Sequence, residues 1–280
     1  MLIGCHVSIA GGIYNAVGNA LNVDCETFQV FTQNQRQWKT TIYDKDTINR
    51  FKKERKDEGF AQVPLIAHAS YLINMCATDK EKLNKSRRAL TEELQRCDRL
   101  AIDFLVIHPG SHGGKGEQWG MNTIADTINT VLQSHQSKVQ ILLETTAGQG
   151  NTLGYQLEQL DGVMQKIEPN NQVGICADTC HMFAAGFDFR TEKACRQTID
   201  LIKNTVGSDV LKVWHFNDSL HDIASKKDRH APIGEGYIGE KGFRSLVNAA
   251  EFKNIPAILE VPGGEQQFAH DIALLKSMRE

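Results

Sequence analysis

The residues with the clearest chemical potential are five histidines and four carboxylates spread along the chain: His68, His108, Glu144, Asp178, His181, His215, Asp228, His230 and Glu260. Imidazole nitrogens and carboxylate oxygens, with no thiolate needed, are the donor mix that holds Zn2+ or Mn2+ for hydrolytic chemistry, in which the ion acidifies water and neutralises charge at the reacting centre. Taken singly, each histidine could be a hydrogen-bonded core or surface residue, and each carboxylate a helix cap. Their placement favours the sharper reading. His68, His108, Glu144, Asp178, His215 and Glu260 each come just past a short aliphatic run, as does His6, whereas independent capping would bring Ser, Thr and Asn there too. His181 lies three residues beyond Asp178, and the alternation of Asp228 and His230 lets both side chains point one way from an extended loop.

The elements that must position them are short. Eight runs read as strands: Leu2 to Gly4, Thr27 to Phe31, Leu65 to Ala67, Phe104 to Ile107, Gln140 to Leu143, Val173 to Ala177, Val210 to Trp214 and Ala257 to Leu259. Between them, amphipathic spacing predicts helices over Asp46 to Glu58, Asp79 to Ala101, Asn122 to Ser134, Leu153 to Ile167, Thr191 to Asn204 and Gly242 to Ala250. Thr78 and Glu81 match the reciprocal capping pattern at the start of the second of these. Eight strand-helix units average about 35 residues, and no linker or repeat interrupts them. The fold expected for residues 1–280 is therefore α/β, a single (β/α)8 TIM barrel, which gathers the C-terminal ends of its strands into one mouth. An open doubly wound sheet is the alternative, and it would spread the same residues along a line.

Charge and composition exclude other classes. The chain has 280 residues, with 31 Lys and Arg against 34 Asp and Glu for a net charge of −3, so any nucleic-acid contact is local rather than a whole-surface coat. No apolar run approaches the roughly 18 residues of a bilayer span, and no membrane association is expected. Seven scattered cysteines fit a reducing compartment, and the strand-like run directly after Met1 leaves no room for a signal peptide, so a cytoplasmic location is expected. Cys176 and Cys180 lack a second pair at finger spacing and read as core; His112, His135, His221 and His270 fall off the strand-end pattern and read as ordinary polar residues. The glycine-rich stretch from His108 to Gly116 lacks the Lys-Ser/Thr ending of a phosphate-binding loop and reads as a flexible mouth loop. From Phe31 to Trp38, amides, a guanidinium and an indole combine the types that contact phosphates and stack on bases, although Trp38 could instead pack on the barrel.

Nine segments, in order and spanning nearly the whole chain, resemble the endonuclease IV family of apurinic/apyrimidinic endonucleases: Gly4 to Ser8, Asn34 to Trp38, His68 to Asn74, His108 to His112, Leu143 to Gly150, Asp178 to His181, His215 to Ser219, Asp228 to His230 and Leu259 to Pro262. The resemblance implies three zinc ions per chain. One would take His68, His108 and Glu144; a second would share Glu144, the catalytic bridge, and add Asp178, His215 and Glu260; the third would take His181, Asp228 and His230. Arg36, Tyr71 and Leu72 match positions that enter damaged DNA, and Asn34 and Arg229 are expected to contact it as well. The activity implied is hydrolysis 5′ to abasic sites in duplex DNA during base excision repair, leaving a 3′-hydroxyl and a 5′-deoxyribose phosphate, with removal of blocked 3′ termini; a monomer is expected. Three bound zincs would bring the site to about +2 and the protein to about +3 by formal count, which reconciles an acidic chain with a phosphodiester substrate. The chain departs from the family at Cys5 (Ala is usual), Ser70 (Pro) and Val261 (Thr), and Ser70 is expected to soften the loop that presents Tyr71. Two competing readings remain: a metal-dependent sugar isomerase on the same barrel, and a zinc-stabilised barrel that binds damaged DNA or a protein without turnover.

Overall fold

A computed structural model describes residues 1–280, the side chain of Asn170 excepted. Among the described residues, eight parallel strands close into a barrel: β1 (Leu2–His6), β2 (Thr27–Phe31), β3 (Ile66–His68), β4 (Phe104–Ile107), β5 (Gln140–Glu144), β6 (Val173–Asp178), β7 (Leu211–His215) and β10 (Pro256–Leu259). Strand β10 pairs with both β7 and β1, which completes the ring. Between β7 and β10, the short strands β8 (Asp218–Ser219) and β9 (His230–Ala231) pair antiparallel outside it. The helices are α1 (Asn15–Asn22), α2 (Lys45–Asp57), α3 (Lys80–Leu100), α4 (Glu117–Ser134), α5 (Leu157–Met164), α6 (Thr179–Ala185), α7 (Glu192–Thr205), α8 (Gly239–Val247) and α9 (Gly264–Ser277). None among the described residues is long and apolar enough to cross a membrane.

Strand alternation explains how this fold delivers the site. Ile66, Val106, Leu142, Cys176, Val213 and Ile258, one each from β3 to β7 and β10, form a separate apolar cluster inside the barrel. Their neighbours Ala67, Leu105, Leu143, Ile175, Trp214 and Ala257 face the larger core between strands and helices. Because side chains repeat direction every two residues, the next inward position on each strand lies two residues on. Those positions are His68, His108, Glu144, Asp178, His215 and Glu260. They form a polar layer directly above the last apolar one.

Several boundaries differ from the sequence expectation. Strands β1, β3, β5, β6 and β7 each include the terminal His, Glu or Asp that reads as following them, because the backbone ladder continues after the apolar side chains stop. Helix α3 is capped by Asp79 rather than Thr78: it begins at Lys80, Asp79 is extended, and its carboxylate accepts from Lys82 N at 2.9 Å. Helix α5 is shorter than expected because Gly154, at φ +95°, sits in a turn where its N–H donates to Gln159 Oε1. Helix α4 starts earlier, its first turns obscured by Gly116 and Gly120, and α8 lies three residues upstream of its expected span. The sequence reading assigns no span to helices α1, α6 and α9; α1 has no side-chain cap, α6 starts directly from a strand, and α9 follows Gly263.

Candidate metal centre

Glu144, fully buried, occupies the centre of the mouth. Its Oε2 lies 3.0 Å from His68 Nε2 and 2.9 Å from His108 Nε2. Its Oε1 lies 2.9 Å from His215 Nδ1 and 3.5 Å from His181 Nδ1. One carboxylate thus touches two sets of donors through different oxygens. Donor atoms fall within 4.8 Å of one another in His68-His108-Glu144, in Glu144-Asp178-His215-Glu260, in Asp178-His181-His230 and in Cys180-Asp228-His230. Asp228 also spans the last two imidazoles, with Oδ2 3.2 Å from His181 Nε2 and Oδ1 3.3 Å from His230 Nε2. All nine residues singled out by sequence are therefore brought together.

The surroundings orient these side chains. His68 Nδ1 faces Ala69 O at 2.7 Å, His181 Nδ1 faces Thr145 O at 2.8 Å and His230 Nδ1 faces Glu260 O at 3.1 Å, so each donates away from the cluster and leaves Nε2 toward it. Asp178 has two tasks: Oδ1 caps α6 by accepting from His181 N at 2.7 Å, while Oδ2 accepts from Asn217 Nδ2 at 2.6 Å. The capping and donor readings of a strand-end carboxylate both hold here. Asn217 also accepts from Glu260 N through Oδ1, joining β7 to β10. The long segment carrying Asp228 and His230 hangs on Asp218, whose buried carboxylate accepts from the backbone N–H groups of Ser219, Gly234, Gly236, Ile238 and Gly239. Position 236 must be glycine, since a Cβ there would lie 2.4 Å from Asp218 Oδ1.

Burial disfavours charge in this layer, yet mutual pairing outweighs it. Burial raises Glu144, but the imidazoles of His108 and His215 hold it well below the ordinary carboxylate range, and Glu260 and Asp228 are lowered in the same sense. Burial also opposes charge on His230, and Asp178 and Asp228 overcome it to raise the imidazole to about 9; His181 and His215 are held well above their usual value. A divalent cation can replace such imidazolium protons as the counter-charge, releasing them on binding. The donor set fits that role: nitrogen and oxygen atoms converge from several strands. Cys180 keeps its core reading despite its proximity, because burial pushes its thiol up to about 12 and Sγ donates to Arg229 O.

Other expectations meet varied outcomes. Tyr71 stands on the rim, 55% exposed, with its ring centroid 5.3 Å from that of His68 and 5.8 Å from that of His108. Asn34, Arg36 and Arg229 are exposed and Leu72 is half-buried. Asn34 Oδ1 accepts from Arg36 N at 2.9 Å, which shapes the turn that carries the guanidinium. Trp38 is exposed, with Lys85 Nζ 4.3 Å from its ring centroid. Ser70 ties its loop down rather than softening it: Oγ donates to Gln35 O at 2.7 Å and accepts from Leu72 N at 3.2 Å. The glycine-rich loop is held too, since Asn74 accepts from Ser111 N and donates to Ser111 O. Sequence did not single out Gln29 or Asn217 and set His6 aside, yet all three bond to members of the cluster. The signal for Gln29 is a polar side chain between Phe28 and Val30, which face the larger core, so that it must point to the inward face of β2.

A family model described as xylose isomerase-like TIM barrel matches residues 17–278. A protein named probable endonuclease 4 from Chlorobium phaeovibrioides is 41% identical over 277 residues, covering 99% of each chain. The chain belongs to the endonuclease IV family. The crystal structure of endonuclease IV from Thermus thermophilus superposes with a TM-score of 0.88 at 28% identity, covering 99% of this chain and 98% of that one. Membership makes the protein an enzyme of the hydrolase class, and its mouth carries groups of donors that could hold a metal ion. A D-tagatose 3-epimerase-like protein also superposes, with a TM-score of 0.76 at 15% identity and coverage of 99% and 97%, which shows a shared fold alone.

Proposed function

We propose that this family member is a zinc-dependent repair endonuclease that cleaves duplex DNA 5′ to an abasic nucleotide, leaving a 3′-hydroxyl and a 5′-deoxyribose phosphate, and that it also removes blocked 3′ termini. In this reading residues 1–280 act as one barrel domain, a cytoplasmic monomer. The observation that carries it is Glu144, whose two oxygens reach separate donor sets and so suit it to fix the spacing of two ions. His68 and His108 would complete one site, Asp178, His215 and Glu260 a second, and His181, Asp228 and His230 a third. When bound, the ions supply Lewis acidity, acidifying water to near neutrality and neutralising charge on the phosphoryl oxygens.

The rest falls to the chain itself. Arg36 and Arg229, both exposed, would offer guanidinium groups to backbone phosphates. An abasic nucleotide has no base to unstack, so turning it toward the mouth costs less than turning out a normal one. Tyr71 and Leu72 would fill the gap left in the helix, and Asn34 would hold the Arg36 turn in place. The Ser70 bridge to Gln35 joins those two loops.

The test is incision of a duplex carrying one abasic site, beside an undamaged duplex, with end analysis of the product. The proposal expects cleavage only at the lesion, a 3′ end that a polymerase extends directly, and loss of activity after chelation. Folded, zinc-loaded protein that leaves the abasic strand intact would reject it and favour the sugar isomerase or the binding barrel.

A further inference from the structure

Three of the cluster histidines are oriented by backbone carbonyls, which no side-chain substitution can remove. His215 is oriented by a side chain. Its Nε2 lies 2.9 Å from Gln29 Oε1, and the same amide, through Nε2, lies 2.7 Å from Glu260 Oε1 and 3.0 Å from His6 Nδ1. Gln29 is fully buried on β2, opposite Ile66 of the interior layer.

These contacts form a logical chain. An ionised carboxylate can only accept, so Glu260 forces the Gln29 amide to present its NH2 group on that side. The amide oxygen must then face His215, whose Nε2 must carry the proton it donates. That leaves the His215 Nδ1 lone pair toward the cluster, where Glu144 Oε1 lies at 2.9 Å and Glu260 Oε2 at 3.4 Å. With Glu260 Oε1 occupied by Gln29, Oε2 is the oxygen left for the cluster.

We propose that Gln29 is a positioning residue that selects the donor nitrogen of His215 and the donor oxygen of Glu260, and so sets ion retention at the Glu144-Asp178-His215-Glu260 set alone. This rests on the metal-centre reading above. Substituting residues that orient metal ligands typically weakens binding by about 10- to 100-fold.

Two variants separate the two hydrogen bonds. Gln29→Met keeps the volume and removes both; Gln29→Glu keeps an acceptor for His215 but sets a carboxylate against Glu260. Zinc-loaded wild type and both variants, labelled with 15N-histidine, are compared by zinc release to a chelator and by the His215 Nε2–H signal in long-range 1H–15N spectra. The proposal expects one zinc per chain to leave both variants about 10- to 100-fold more readily, with the others retained. The Nε2–H signal should be lost in Gln29→Met and kept in Gln29→Glu, a split that general loosening of the barrel would not produce. Wild-type zinc release from Gln29→Met, or equal loss of all ions, overturns the proposal while leaving the endonuclease reading intact. Wild-type protein that holds no zinc overturns both.

Discussion

Replacing Asp218 by Asn exchanges one carboxylate oxygen for an NH2 group, and five backbone donors converge on that carboxylate. Oδ2 accepts from Gly234, Gly236 and Gly239 at 3.0 to 3.1 Å, while Oδ1 accepts from Ser219 at 2.7 Å and Ile238 at 2.9 Å. The less damaging orientation keeps oxygen on the three-donor side, so at least two N–H groups then face another donor. A buried donor left unpaired costs about 1 to 3 kcal/mol, and since the two at issue, Ser219 N and Ile238 N, are both buried, about 2 to 6 kcal/mol is expected in total. The loss should be local, because these bonds tie the segment that follows His230, up to the start of α8, to β8 and touch none of the eight barrel strands. Amide hydrogen exchange in peptides covering 219–239 should accelerate roughly 30- to 20,000-fold, at 1.4 kcal/mol per factor of ten, while α3 exchanges as in wild type. Unchanged exchange in 219–239, or equal acceleration in α3, would refute the anchoring role.

Glu144→Gln should bind fewer zinc ions and lose incision together while keeping its far-ultraviolet dichroism, because one oxygen shared by His68 and His108, or the other facing His215, becomes a donor; full activity in this variant rules out the bridge. Arg36→Ala should weaken binding to an abasic duplex and lower the slope of log K against log salt by about one, whereas Tyr71→Ala should weaken it with the slope unchanged; fluorescence anisotropy across a salt series distinguishes the two. The pH dependence of chelated protein has a definite sign. His230 is raised to about 9, so its pairing with Asp178 and Asp228 stabilises fully below its unfolded value near 6.5 and is lost as pH rises through 9. Urea midpoints should therefore fall between about pH 6.5 and 9, less so with zinc in place of the protons, and a midpoint that rises across that window contradicts the pairing.

The barrel and its ring of donors were legible because two periodicities coincide. Aliphatic runs mark the strands, and the residue two places after each interior side chain, from His68 after Ile66 to Glu260 after Ile258, points into the mouth. Side chains do not mark where a ladder ends, which is why β1 continues through Cys5 and His6 past the expected stop at Gly4. Helices such as α6, which takes its cap from Asp178 itself, carry too short a pattern to stand out. Gln29 escaped notice because an amide has no metal-ligand signature, and its task depends on Glu260 and His215, which lie 231 and 186 residues away in sequence. The roles of Ser70 and Asp218 likewise depend on loops that meet only after the barrel closes.

The most direct test of the central claim is stepwise zinc restoration to chelated protein, with bound metal and incision of a single-abasic duplex measured on the same samples. Three zinc ions per chain, and cleavage at the lesion that returns as they bind, is the predicted result. Incision by metal-stripped protein, or a zinc-saturated chain that leaves the abasic strand whole, would contradict it.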